Sequence, residues 1–329
     1  MQASVYGVGN PLIDIIVPIS DEDLSWLGIH KGTMHLITAN KRAELIEFIS
    51  NKEVSYSSGG SCPNTIITLS ALGITGALGG MVGTDTYGPI YKKAIVESGA
   101  LDEIRETSSK TGSSIILVTP DSERTMNTFL GANRDFGPED LAADRVKEAE
   151  FFHFTGYMWD TDSQKKAILK ALDISKANGT RISFDIADPF AVSRNRETFL
   201  KIIQDYADIV FANNEEARIL FNNYDAFECA KSMGKICPLS IVKNGKHGSF
   251  VNDHGNIESI PVQGGEPTDT TGAGDNYAAG FLYGLCAGRS STDAGHCASY
   301  LAGEIIDQVG AQFSRDKINE IRAHLESTT

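Results

Sequence analysis

The chain has 329 residues and a mass of 35.5 kDa, with 41% hydrophobic and 22% charged residues, which excludes a disordered or fibrous protein. At ~150 residues per domain this length corresponds to about two domains or one large α/β unit. Twenty-nine basic residues against 43 acidic ones leave a net charge of −14 and a pI near 4.9, which speaks against nucleic-acid and membrane-surface partners, since both require basic stripes. A phosphate-bearing ligand would therefore be held locally, by backbone amides, a few Lys or Arg, and a metal ion. Five cysteines (Cys62, Cys229, Cys237, Cys286, Cys297) include no C-x-x-C pair and read as buried thiols of a reducing compartment. The N-terminus MQASVYGVGN lacks a basic leader, and no apolar run approaches the ~18 residues of a spanning helix. The expected location is the cytoplasm.

In chain order, Ser4–Gly9 reads as a first strand and Thr33–Thr38 as a strand with no helix before the next strand signal. Pro63–Leu72 predicts a helix with Pro63 at its first position, Ile66, Ile67, Leu69 and Leu72 on one face, and Gly73 at its end. Tyr87–Ser98 repeats that plan and stops at Gly99. Ser113–Leu130 predicts two strands joined by a turn at Pro120-Asp121-Ser122-Glu123. Phe151–Thr155, Arg181–Ile186 and Asp208–Ala212 are β-branched and aromatic runs, each followed by a helical pattern. Ser240–Val262 reads as antiparallel, with turns near Asn244-Gly245 and His254-Gly255. The fold class that follows is α/β, a mostly parallel sheet with helices on both faces, one unit over 1–329. Residues of about 12–38 and 107–132 would add a small antiparallel sheet placed as a lid.

The richest segment is Asp269-Thr-Thr-Gly-Ala-Gly-Asp275. Ala278, Ala279, Phe281, Leu282, Leu285 and Cys286 follow at helical spacing, so the Gly-Ala-Gly turn opens a helix. Its free N–H groups and the helix dipole would hold an anion, and Gly272, Ala273 and Gly274 are small enough to let phosphate oxygens approach. Asp275 stands where a carboxylate can take a proton from a hydroxyl attacking that phosphate, the arrangement phosphoryl transfer requires. A plain Asp cap at a helix start satisfies the same residues. Two other nucleotide motifs are excluded. Gly7-Val-Gly-Asn-Pro-Leu12 has Leu where a dinucleotide fingerprint needs its third Gly, and no G-x-x-x-x-G-K-[ST] occurs.

With these segments the chain resembles the ribokinase-like (PfkB) family of sugar and nucleoside kinases over nearly its whole length. Asp269–Asp275 is similar to the family's C-terminal signature and Gly59-Gly-Ser-Cys-Pro-Asn64 to its N-terminal one. The resemblance implies a three-layer α/β/α fold with a β-sheet lid. It further implies Asp275 as catalytic base, with the amides of Gly272, Ala273 and Gly274 as the anion hole. Asn10 and Asp14 match the position of a sugar-binding Asp, and Gly59, Gly60 and Asn64 would contact the same sugar. Asn213-Asn-Glu-Glu216 resembles the N-x-x-E element, with Asn213 supporting phosphate and Glu216 placing Mg2+ through water; an N-cap with an acidic first turn fits these residues equally. Lys243, Gly245 and Gly248 resemble the nucleotide loop near ATP. Asp269 and Thr271 fall where many members bind a monovalent cation such as K+, with further ligands near Gly310.

Three segments look more like bacterial adenosine-kinase-like members than like ribokinases: Glu123–Asn133, Thr155–Asp160 and Ser183–Phe190. A nucleoside needs a flat apolar slot besides a diol-binding carboxylate. Tyr157, Met158 and Trp159 could supply one wall, and Met34, His35 and Leu36 on the lid the other; core and lid packing is the alternative reading of both groups. Arg124, in the lid hairpin, resembles an Arg that reaches ATP phosphates when the lid shuts. The expected activity is ATP-dependent phosphorylation of adenosine to AMP. A kinase for ribose, fructose or a related sugar and a non-catalytic nucleotide- or sugar-binding regulator are the alternatives. Partners beyond the small molecules are not implied, and a monomer or a homodimer fits.

Overall fold

The computed structural model describes residues 2–121, 123–265 and 267–327. Its strands form two sheets. The large sheet runs β14 (Asn256–Ile260), β13 (Ser249–Asp253), β12 (Leu239–Lys243), β11 (Ile209–Asn213), β10 (Arg181–Asp185), β9 (Phe151–Thr155), β1 (Val5–Val8), β5 (Gly76–Gly83), β6 (Leu101–Thr107). Strands β12 to β6 in that order are parallel, and β13 and β14 fold back antiparallel. Side chains alternate between two cores, as a sheet buried on both faces requires. Phe151, Ile209, Phe211 and Ile241 face one core; Phe152, Phe154, Phe184 and Val210 face the other.

The first core is closed by α3 (Ser61–Ala71), α4 (Tyr87–Glu97), α10 (Ala273–Cys286), α11 (Ser291–Ile306) and α12 (Arg315–Ser327). The second lies under α5 (Ala143–Glu148), α6 (Asp162–Asn178), α7 (Pro189–Asp205), α8 (Asn214–Phe221) and α9 (Ala226–Met233). This is the three-layer α/β/α arrangement expected, and it aims the carboxyl ends of β1, β9, β10, β11 and β12 at one edge of the molecule, where ligands of such sheets bind.

The small sheet runs β3 (Met34–Leu36), β8 (Arg124–Phe129), β7 (Ser113–Val118), β2 (Leu12–Pro18), β4 (Ser55–Gly59). It is mixed rather than antiparallel as expected: β3–β8 and β2–β7 are parallel pairs. The β7–β8 hairpin forms as expected, closed by Thr119 N–H donating to Glu123 O at 3.1 Å; Ser122 of its turn lies outside the described residues. Two elements belong to this sheet beyond the expected segments, strand β4 and helix α2 (Ala39–Ile49), which directly follows β3. With α1 (Asp21–Trp26), α2 lays Leu24, Leu27, Leu45 and Ile49 over Ile13, Ile15, Val17 and Leu117, so the outer face of the small sheet is already covered.

The α3 helix starts two residues before its expected first position. Gly60, with φ +105°, turns the chain straight from β4 into Ser61. Pro63 then sits in the first turn, where its missing N–H has no intrahelical partner to lose.

Candidate active site

A cavity of about 840 Å³ lies between the carboxyl ends of the large sheet's strands and the inner face of the small sheet. Of the residues singled out in the sequence, Asn10, Asp14, Gly60, Asn64, Tyr157, Asn213, Glu216, Lys243, Gly245, Gly248 and Thr271–Asp275 line it. Gly59 lies behind the wall, packed directly against the Asp14 carboxylate. Arg124 and Asp269 stand outside the lining, bonded to each other.

At one end, α10 follows Gly272, whose φ of +77° turns the chain into the helix. Of the three amides expected to hold an anion, Ala273 N–H already donates to Thr270 O at 3.2 Å, while Gly274 stands in the first turn, where an N–H has no intrahelical partner. A Cβ at Gly272 would fall 2.5 Å from the Ala311 Cβ, so only glycine fits. Asp275 sits in this first turn. Ser61 Oγ donates to its Oδ1 at 2.6 Å and Asn64 Nδ2 to its Oδ2 at 2.9 Å. Burial pushes its carboxyl up to about 6, against those two hydrogen bonds, which pull it down. The N-terminal signature on α3 and the C-terminal one on α10 thus meet on a single carboxylate.

Lys243 closes the same end. Its ammonium pairs with Asp185 Oδ2 at 3.1 Å and lies beside Gly274. Burial alone would lower the Lys243 pKa, but Asp185 and Glu216 outweigh burial and hold it above the ordinary value. Asn213 and Glu216 form a capping box at the start of α8: Asn213 N–H and Nδ2 donate to the Glu216 carboxylate, each at 2.7 Å, and Glu216 N–H donates to Asn213 Oδ1 at 2.8 Å. The plain N-cap reading is therefore realised, in the cavity wall. Burial, with Asp185 and Asp188 adding to it, raises the Glu216 carboxyl despite the nearby Lys243 charge.

The other end is made by the small sheet. Burial raises the Asp14 carboxyl to about 7; Arg124 opposes that shift and Asp275 adds to it. Leu12, Met34, Leu36 and Met126 of the small sheet line the cavity together with Tyr157 and Trp159. Two expected wall residues are absent. Met158 is fully buried in the core beneath the short turn Gly156–Trp159. His35 points away by strand alternation, its Nε2 2.8 Å from Thr33 Oγ1. Asn10 lines the cavity with its amide already engaged, Nδ2 donating to Tyr157 O at 3.3 Å and Oδ1 accepting from Gln164 at 2.9 Å.

Arg124 reaches across from β8 to the loop before α10. Its Nη1 lies 3.1 Å from both Asp269 Oδ2 and Thr271 Oγ1. Asp269 Oδ1 also accepts from Thr271 N–H at 3.0 Å and Thr271 Oγ1 at 2.7 Å, and its Oδ2 from Gly310 N–H at 2.8 Å. Burial alone would raise the Asp269 carboxyl, but these donors and the guanidinium outweigh it and hold the group below its usual range.

Sequence reasoning assigned no role to Ser61, Asp185, Asp188 or Gln312. Ser61 lies inside a motif already singled out, and Asp185 is a carboxylate ending the apolar strand Arg181–Asp185, a position that points to a ligand. Among the described residues no three His, Cys, Asp or Glu side chains converge to hold a metal unaided, and no helix is long and apolar enough to cross a membrane.

The profile of the pfkB family carbohydrate kinase matches residues 33–318. The structure of adenosine kinase from Sinorhizobium meliloti is 34% identical, with a TM-score of 0.89 over the full length of both chains. A probable sugar kinase from Rhizobium etli is 36% identical, with a TM-score of 0.89 over 98% of this chain and 99% of that one. Adenosine kinase 2 of Arabidopsis thaliana is 25% identical over 93% of this chain and 94% of its own length. On the match of that profile over most of its length, the chain belongs to the pfkB family of carbohydrate kinases.

Proposed function

We propose that this kinase transfers the γ-phosphoryl group of ATP to the 5′-hydroxyl of adenosine, giving AMP and ADP. The observation that carries the reading is the composition of the cavity end away from Asp275. There a carboxylate, Asp14, shares the cavity lining with the apolar side chains Leu12, Met34, Leu36 and Met126 and with the aromatic Tyr157 and Trp159. A carboxylate accepts from two vicinal hydroxyls at once, and flat apolar walls suit a purine base. The likenesses to adenosine kinases from two kingdoms support this acceptor; the likeness to a probable sugar kinase favours the second reading, a free-sugar acceptor for which the slot would be superfluous.

In the proposed reaction the γ-phosphate lies at the first-turn amides of α10, with Lys243 beside it. Asp275 takes the proton of the acceptor hydroxyl, the oxygen attacks phosphorus, and the bond to the β-phosphate oxygen breaks to release ADP. Ser61 and Asn64 hold Asp275 in its ionised form.

Magnesium fits this end. Asp185, Asp188, Glu216 and Asp275 all line the cavity, and Lys243 pairs with Asp185. Glu216 keeps lone pairs beyond those used by Asn213, enough for ligation through water. Bound there with the nucleotide, the ion would neutralise charge on the β- and γ-phosphates. Potassium does not fit the arrangement at Asp269, where four donors, one of them the Arg124 guanidinium, already take up the carboxylate. Five free thiols, four of them buried, suit the cytoplasm. With its outer face under α1 and α2, the small sheet acts as the lid of one chain, and a lid-to-lid dimer would have to use the free edges of β3 or β4.

The test is ADP release with MgATP across adenosine, other nucleosides, ribose and fructose. Turnover strongest with adenosine supports the slot. Turnover confined to a free sugar overturns it while leaving Asp275 in its role.

A further inference from the structure

We propose that Gln312, in the loop between α11 and α12, is a positioning residue for Asp275: it sets which way the Asn64 amide faces and ties that setting to the lid through Ser58. Asn64 can serve the carboxylate in one orientation only, with its NH2 toward Asp275 and its oxygen away. An amide in the flipped orientation would set oxygen against oxygen. The Asn64 oxygen accepts from Gln312 Nε2 at 3.4 Å. The same Nε2 donates to the backbone carbonyl of Ser58 on β4, and lies 3.1 Å from Ser58 Oγ. A carbonyl can only accept, so Ser58 O fixes the NH2 of Gln312 toward itself. The remaining amide hydrogen is shared between Ser58 Oγ at 3.1 Å and Asn64 Oδ1 at 3.4 Å, and the NH2 of Asn64 faces Asp275 Oδ2 at 2.9 Å. Ser58 Oγ also donates to Gln312 Oε1 at 3.3 Å, so the lid strand holds both ends of the amide whose NH2 reaches Asn64.

The loop is itself anchored at the site it serves. Gly310 N–H donates to Asp269 at 2.8 Å, Ala311 packs beneath Gly272, and Ala311 O accepts from Asn276 Nδ2 at 3.0 Å. Gln308 Nε2 holds Gln312 O at 2.7 Å. Three successive residues, 310 to 312, thus grip the loop before α10, the anion turn, and the base with its lid strand. A side chain serving packing alone would not need donor geometry at two acceptors.

This inference rests on Asp275 being the base. The hydrogen bond from Asn64 pulls the Asp275 carboxyl down, so its loss moves the pH below which the base is protonated upward. The measurement is the pH profile of kcat, with whichever acceptor turns over best, for the wild type, Asp275→Asn, Gln312→Leu, Gln312→Glu and Asn64→Leu, with thermal unfolding in parallel. For Gln312→Leu the acid limb should move up by about one pH unit. Its rate would then fall about eightfold at pH 5.5 and stay within about twofold of wild type at pH 8.5. Gln312→Glu, which sets an acceptor against two acceptors, should move the limb further. In the Asn64→Leu background a Gln312→Leu change should add nothing, because Gln312 acts through Asn64. Limbs that superimpose on wild type, or losses independent of pH that track the unfolding temperature, would overturn the proposal. A limb that survives in an active Asp275→Asn variant would instead overturn Asp275 as the base, a separate failure.

Discussion

The two ends of the cavity are built by different means. The end at Gly272–Asp275 is made of backbone and of side chains bonded before any ligand arrives: Asp275 holds two donors, Lys243 is paired with Asp185, and Asn213 and Glu216 cap each other. The end at Asp14 is made of side chains from a separate sheet, and burial dominates the Asp14 carboxyl, with the charges of Arg124 and Asp275 acting on it in opposite directions. Phosphoryl transfer is the same for any acceptor and rewards a preorganised site. On the proposed reading acceptor choice would reside in the small sheet, where strand residues can be exchanged without disturbing the chemistry.

Substitutions at the two ends should therefore fail differently, and the largest effect belongs to the first. Asp275→Asn keeps the shape and removes the base. We expect kcat to fall by ~10³-fold or more with ATP affinity within about threefold of wild type, read by steady-state kinetics and calorimetric titration. A variant keeping most of its rate would remove Asp275 from its role. Gly272→Ala should come next, with a loss of ~10²-fold in kcat. A methyl group there meets Ala311 at 2.5 Å and a φ of +77° disfavours any side chain. The turn that presents the amides would have to shift, so the apparent KM for ATP should rise as well. The lid end should be untouched, with acceptor preference unchanged.

How much of each end can be read from the chain follows from the same difference. Strands such as Phe151–Thr155, buried on both faces, announce themselves by apolar runs, and the turn at Gly272 by its glycines. Asp14 is legible because a charge among Ile13, Ile15 and Ile16 needs a reason. Strand β4, by contrast, reads Ser-Tyr-Ser-Ser-Gly and is largely exposed; it is a strand because β2 pairs with it, and no local pattern foretells that. Helix α2 buries only Leu45 and Ile49 and was equally faint. Arg124 was legible as a lid residue but not as the partner of Asp269, and Gln312 reaches Ser58 across 254 positions of sequence. Contacts of that range depend on the assembled fold.

At the lid end, Asp14→Asn should raise the KM for adenosine by ~10- to 100-fold while changing kcat by less than about fivefold. Its carboxyl is raised to about 7, so the ionised form that accepts the diol is lost as pH falls through that value. For the wild type, kcat/KM for the acceptor should decline below about pH 7, whereas kcat, governed by Asp275 in the complex, should decline below about pH 6. Two separated limbs would sharpen the division of labour between the ends. One shared limb in both profiles would break it, and its survival in Asp14→Asn would assign that limb to Asp275.

The smallest effect concerns the contact that joins the ends. Arg124 leaves the lid to neutralise Asp269, which also takes up Thr271 N–H, Thr271 Oγ1 and Gly310 N–H. A carboxylate with a guanidinium and three further donors has neither the charge nor the lone pairs to attract a monovalent cation. Replacing potassium by sodium or choline at constant ionic strength should therefore alter kcat by less than about twofold. Arg124→Ala exposes the same carboxylate, still held by Gly310 and Thr271, and a site of that kind does suit a cation. The variant should gain a dependence on potassium that the wild type lacks, with the salt raising its rate and its unfolding temperature together. A wild type that already needs potassium would show that Arg124 gives way during turnover, and that the lid is coupled to the anion turn through a cation instead of through its own arginine.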